Sequence, residues 1–315
     1  MGEIIYSKYA NERASQFALR TDIVCQANGE LVVQKTPLSQ AANAHVENIY
    51  AVGQALNKQY VNSRFCFNHC QLTTGGVALE FVTDTTLESV ADKLLYAGKV
   101  DEVEKLLFQV IEEMYKTDGN KEFCKTAEFV EVFGEVDLPT DLPCATISDI
   151  DMIMSNIMQG ERWVVIDYEW SFDFPIPIQF IVYRLLHYYL YASPIRSVLR
   201  ECNLMQKAGI SASLEEIYYK MERHFQDVYI LRELDGKHHT PLRDMYGEIS
   251  AGSIDVRELY EKVKTLAHTK EEQKDLVGAI DKNVQAAQAA QEKITAMENT
   301  KVWKAYRKYR SLREK

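Results

Sequence analysis

Five side chains, spread over 133 residues of a 315-residue chain, have the types and order needed to move a phosphoryl group. Lys35 closes the run LVVQK. Glu47 follows twelve positions later in AHVENIY. Asp151 and Asn156 stand in Asp-x4-Asn spacing in DMIMSN, and Asp167 ends WVVID. Phosphoryl transfer from ATP requires a cation on the phosphates, oxygen ligands for Mg²⁺ and a carboxylate that orients the attacking hydroxyl. A strand-terminal Lys or an isolated Asp-x4-Asn carries little weight, since both also arise as surface ion pairs and turn residues. An acid that ends an apolar strand carries more, because it faces the mouth of a sheet. The ordered set carries the argument.

Those residues need a β-rich first part and a helical second part to hold them. Ile4–Tyr9, Phe17–Gln26 and Leu31–Thr36 read as strands, with Asn28-Gly29 as the hairpin turn and Pro37 as a stop. Leu38–Tyr60 turns helical, with Val46, Ile49, Val52 and Leu56 at three- and four-residue spacing. A second hairpin is expected from Tyr60–Leu72 and Gly76–Val82 around Gly75-Gly76. From Asp84 helices dominate: Leu87–Tyr96, Val100–Tyr115, Phe180–Leu190, Ile195–Leu204 and Leu214–Leu231, the last opened by a Ser213/Glu216 capping box. Phe129–Phe133 alternates and reads as a short strand; Trp163–Ile166 is another. Phe174–Ile195 is the most apolar stretch, but Gln179, Arg184 and His187 make it a buried core helix rather than a membrane span.

Val256–Lys315 contains no Pro and one Gly, Gly278. Val277, Ile280, Val284, Ala287, Gln291 and Ile294 step by threes and fours, which suits either a coiled-coil seam or a helix packed on the domain. Residues 301–315 carry seven basic side chains against one acidic, with Trp303, Tyr306 and Tyr309 at three-residue spacing. That tip suits either a partner helix or an anionic membrane surface.

The net charge of −10 argues against nucleic-acid binding. Cys25, Cys66, Cys70, Cys124, Cys144 and Cys202 lack paired spacing, and no signal-peptide pattern opens the chain. The expectation is a cytoplasmic, reduced protein, with its basic tip available to the inner face of the membrane. Cys66, His69 and Cys70 have no second ligand pair nearby, so strand positions are the better reading. His238-His239 reads as a solvated loop.

The run IDYEWSFDFPIPIQFIVYR, with TAEFVEVFG before it, resembles the aminoglycoside-phosphotransferase and choline-kinase branch of kinase-like proteins. It is similar in particular to the kinase-like domains of bacterial surface-polysaccharide methyltransferase–kinases and glycosyltransferase-associated proteins. The resemblance covers residues 4 to 230. It implies an α+β, two-lobed protein-kinase-like fold: an N-lobe at 1–83, a mainly helical C-lobe at 84–250 and a helical, coiled-coil-type tail at 251–315. It implies ATP and Mg²⁺ as cofactors and a hydroxyl acceptor on a sugar or cell-surface glycan. Polysaccharide-synthesis enzymes become the expected partners, and the tail the expected route to an oligomer.

Residue by residue, the resemblance puts Lys35 on the α/β-phosphates, paired with Glu47. Asp151 becomes the catalytic base, while Asn156 and Asp167 hold the metal. Glu80, Phe81 and Val82 become the hinge facing the adenine. Glu169 stays without a settled role. Two departures stand out. The loop from Ala10 to Ser15 has no glycine, leaving Arg13 as a substitute cation, and Asp149 stands where a His is usual. Both departures leave a second reading open, a pseudokinase scaffold that binds partner enzymes.

Overall fold

In a computed structural model of the chain, residues 2–118 and 121–237 are described. The chain divides into units Met1–Leu242 and Arg243–Lys315, and all described elements belong to the first. The heptad seam, the basic tip and His238-His239 lie outside the described residues.

Strands β1 (Glu3–Ala10), β2 (Leu19–Cys25) and β3 (Leu31–Pro37) run antiparallel. Gly29, at φ 84°, makes the turn between β2 and β3. Helix α1 (Asn43–Gln59) then buries Val46, Ile49, Val52 and Leu56. After the short strand β4 (Phe65–Phe67), β5 (Cys70–Thr73) and β6 (Gly76–Glu80) complete a five-stranded antiparallel sheet of order β1-β2-β3-β6-β5. Gly76 allows β6 to pass close to β3. A Cβ there would sit 2.1 Å from the Lys35 carbonyl, and its φ of 152° also disfavours other residues.

The helical part contains α2 (Leu87–Tyr96), α3 (Val100–Met114), α4 (Ala127–Phe133), α5 (Ile178–Tyr191), α6 (Leu204–Lys207) and α7 (Ala212–His224). Short strands lie between them: β7 (Lys121–Glu122), β8 (Pro143–Cys144), β9 (Ser148–Asp149), β10 (Ile157–Met158), β11 (Trp163–Val165) and β12 (Ser171–Phe172). Helix α5 is buried on nearly every side, and among the described residues no helix is long and apolar enough to cross a membrane.

Three expectations need correction. The hairpin around Gly75-Gly76 is present, but its first arm is only Cys70–Thr73, not the whole of Tyr60–Leu72. Phe65–Phe67 leaves the main sheet and pairs in parallel with β11, because Phe65 and Phe67 pack their rings on Tyr60, Trp163 and Tyr168. Phe129–Phe133 is helix, not strand. The Thr126 side chain caps it by accepting the Phe129 amide, and Phe129, Val132 and Phe133 turn to one buried face. Helix α7 is capped by Ser211 rather than Ser213, with the Leu214 amide donating to its hydroxyl.

Candidate active site

The underside of the sheet roofs a cleft, and the two-residue period of its strands selects which side chains line it. Lys8 and Ala10 come from β1, Leu19 and Thr21 from β2, Val33 and Lys35 from β3, and Leu79 from β6. Ala10, Leu19, Val33 and Leu79 make the roof apolar. Glu80, Phe81 and Val82, together with Arg13, Asn68, Ile166, Asp167 and Glu169, complete its lining. The cleft holds about 200 Å³, smaller than the roughly 300–1,000 Å³ typical of small-molecule sites, and is open to solvent at its mouth.

Lys35 is the hub. Its ammonium, 6% exposed, donates to Asp167 Oδ1 and to Glu169 Oε2 at 2.7 Å. Arg13 Nη1 meets the other oxygen of Glu169, Oε1, at 2.7 Å, and Arg13 Cζ lies 5.2 Å from the centroid of the Trp170 ring. Burial alone would raise the Glu169 pKa, but Lys35 and Arg13 outweigh it and hold Glu169 below the carboxylate range. Burial would lower the Lys35 pKa, and the two acids push it above its ordinary value instead.

Glu47 does not pair with Lys35. It is exposed on α1, whereas its helix neighbour two positions back, His45, turns inward against Phe17 and Trp170. Burial lowers the His45 pKa to about 4, so the ring is neutral near pH 7. The partner expected from the helix comes instead from Glu169, 134 residues from Lys35.

The β1–β2 loop brings Arg13 to the cleft without glycine because the loop is tied down elsewhere. The Ala14 amide donates to the Ile230 carbonyl at 2.9 Å, and the Ser15 amide to Glu233 Oε1 at 3.1 Å. Phe17 packs on His45, Trp170 and Tyr229.

Asp167 has φ 60°, one of two positive-φ non-glycine residues among those described. This left-handed conformation follows β11, and strained backbone of this kind concentrates at functional sites. Its side chain is 48% exposed and lines the cleft.

Asp151 follows β9 and Asn156 ends the short 3-10 turn Met154–Asn156; neither is among the residues that line the cleft. Burial raises the Asp151 pKa to about 6; Arg184 opposes the rise, and Asp167 and Glu169 add to it. Arg184 Nη1 meets Asp151 Oδ1 at 2.8 Å. Asn156 Nδ2 donates to the Asp151 carbonyl at 3.0 Å. Asp149 is fully buried. Burial first, and then the Asp151 charge, drives its pKa well above normal. Its Oδ1 accepts the Asp151 amide at 2.9 Å, while Oδ2 has no partner among the described residues.

Glu169 and Arg184 are the two site residues that the motif spacing missed. Arg184 had a signal of its own: an arginine inside an apolar helix must find charged partners.

The donor set suits Mg²⁺. Asp167 and Asn156 offer hard oxygens, and this ion usually takes one or two protein carboxylates plus water and phosphate oxygens. Among the described residues no group of three or more His, Cys, Asp or Glu side chains forms a metal site of its own.

No protein-family model matches the sequence, and no curated protein does so. Among solved structures, the chain is similar to a type I macrolide 2'-phosphotransferase, with 11% identity, 70% of this chain and 84% of the other covered, and a TM-score of 0.37. The gentamicin complex of an aminoglycoside 2''-phosphotransferase shares 13% identity over 85% and 93%, with a TM-score of 0.36. An ethanolamine kinase of Plasmodium vivax shares 13% identity over 71% and 72%, with a TM-score of 0.30.

Proposed function

We propose that this chain is an ATP-dependent phosphotransferase acting on a hydroxyl group. One observation carries the reading: Lys35 and Asp167, 132 residues apart, meet in a cleft lined by apolar strand residues. An apolar roof fits a purine face. Lys35 and Arg13 are the cations placed for phosphates, and Asp167 and Asn156 would hold the metal, which when bound supplies charge neutralisation on the phosphate oxygens. Asp151 would accept the proton of the attacking hydroxyl. A carboxyl near 6 suits that task at neutral pH, since it is ionised yet still basic.

The sequence resemblance points further, to a sugar or cell-surface glycan as acceptor and to enzymes of polysaccharide synthesis as partners. It also supports oligomerisation through 251–315, while the basic and aromatic side chains of 301–315 support contact with an anionic membrane surface. A pseudokinase scaffold is the competing reading; the glycine-free loop tied down by Glu233 favours it.

The test is transfer of labelled γ-phosphate from MgATP to a panel of sugars and alcohols. Asp151→Asn is expected to lower the rate about 10²- to 10⁴-fold, the usual size of a general-base effect, while nucleotide binding persists. Equal rates in wild type and variant would overturn the assignment.

A further inference from the structure

Directly after β4, one side chain of the cleft holds an acceptor with nothing to accept from. Asn68 is 5% exposed and lines the cleft together with Leu79, Glu80, Phe81 and Val82. Its main chain is held on both sides. The amide donates to the Val165 carbonyl of β11 at 3.2 Å, and the carbonyl accepts the Tyr168 hydroxyl at 3.1 Å. In the side chain, Nδ2 donates to the Glu80 carbonyl at 2.9 Å. Oδ1 is buried and has no partner among the described residues. A buried amide oxygen without a donor is disfavoured, and such atoms in a native protein call for an explanation.

The side chain cannot turn over to relieve this. Exchanging Nδ2 and Oδ1 would set the amide oxygen against the Glu80 carbonyl, and neither carries a hydrogen. Glu80 is fixed as well, since its own amide donates to the His69 carbonyl at 2.9 Å. The cleft wall therefore holds a set acceptor, Asn68 Oδ1, and near it a second, the Glu80 carbonyl with a lone pair left over. What is missing is a donor, and a ligand has to bring it.

Adenine carries such a donor, an amino group at C6 with two N–H bonds, where guanine carries a carbonyl oxygen. Resting on the ATP-dependent phosphotransferase reading, we propose that Asn68 is the residue that selects adenine over 6-oxo purines. One N–H of the 6-amino group donates to Oδ1 and the other to the Glu80 carbonyl. A 6-oxo purine brings a third oxygen to two that have no hydrogen to give. A site built for an N–H rejects the analogue that lacks it, because its own buried polar groups stay unpaired. An amide that merely stapled the end of β4 to β6 would affect every nucleotide alike.

The experiment is calorimetric titration of the full chain with MgATP, MgGTP and the magnesium complex of purine riboside triphosphate, which has hydrogen in place of the 6-amino group. Wild type is expected to bind ATP about tenfold or more tighter than that analogue, the usual effect of pairing a buried acceptor, and GTP more weakly still. Asn68→Leu is expected to weaken ATP about tenfold while the analogue keeps its affinity. Equal changes for the two, or no change, overturn the proposal. Should Asn68→Leu not fold, wild type still tests it: equal affinity for ATP and the analogue, or for ATP and GTP, overturns it. Selective binding of ATP without transfer to any hydroxyl acceptor upholds Asn68 as the adenine reader and removes the phosphotransferase reading. No binding of any of the three removes both.

Discussion

With its carboxyl raised to about 6, Asp151 is half protonated in mildly acid solution and fully available as a base above about pH 7. The expected profile of kcat/KM therefore rises with pH through an acidic limb near 6. A limb near 4, the range of an ordinary carboxylate, would show that a different group controls the rate. For folding the sign is reversed. Asp149 and Asp151 both hold their protons more tightly folded than unfolded, so their contribution to stability is full below the unfolded value near 4. It declines as pH rises through about 6 for Asp151, and in the same direction for Asp149. Activity and stability thus move in opposite directions over that interval. Of these residues, the acids were legible from spacing alone, because Asp-x4-Asn and a strand-ending Asp are local patterns. The partner of Lys35 was not. Glu47 and Glu169 are equally good carboxylates on paper, and only three-dimensional packing, which turns Glu47 to solvent and Glu169 to the cleft, separates them.

Among the elements, α1 and the segment after β11 govern the site together. Gly53 of α1 lies against the buried ring of Tyr168, the residue between Asp167 and Glu169; a Cβ there would come within 2.8 Å of the Tyr168 hydroxyl oxygen. Tyr168 is fully buried and its hydroxyl donates to the Asn68 carbonyl at 3.1 Å, so it has no easy retreat. Gly53→Ala is expected to cost about 1–3 kcal/mol of stability by overpacking, against the small gain normally expected for alanine in a helix. Denaturant unfolding measures it; a stabilised variant would show that α1 and Tyr168 are not in contact. Long periodic elements such as α1, α2 and α3 follow their apolar spacing closely. The misread ones were short. Phe65–Phe67 alternates its aromatics and Phe129–Phe133 alternates apolar side chains around Glu131, and runs of three and five residues cannot distinguish a strand of one sheet, a strand of another and a capped helical turn. Aromatic packing decided each case.

For the whole molecule, the last described turns complete the site's architecture rather than trail from it. The Ile230 carbonyl and the Glu233 carboxylate receive the amides of Ala14 and Ser15 and so anchor the loop that carries Arg13. A chain ending at residue 242, the boundary of the first unit, is therefore expected to melt in one sharp transition and to retain nucleotide binding. A chain ending at residue 224 should lose the loop anchor and bind more weakly. A broad, nucleotide-insensitive transition for the 242-residue chain would contradict that division. Light scattering on the full chain beside the chain ending at residue 242 tests the tail proposal, since tail-driven assembly requires a lower mass without residues 243–315. Heptad spacing made such a tail legible as a pattern, though a pattern of that length fits a seam or a packed helix equally well.

The most direct test of a nucleotide cleft built on Lys35 and Asp167 is a thermal-shift titration of the full chain with MgATP, beside Asp167→Ala. Saturable stabilisation of about 2.7 kcal/mol at a hundredfold excess over Kd is expected for wild type, and none for the variant. No shift at millimolar MgATP, or the same shift in both proteins, would contradict the account.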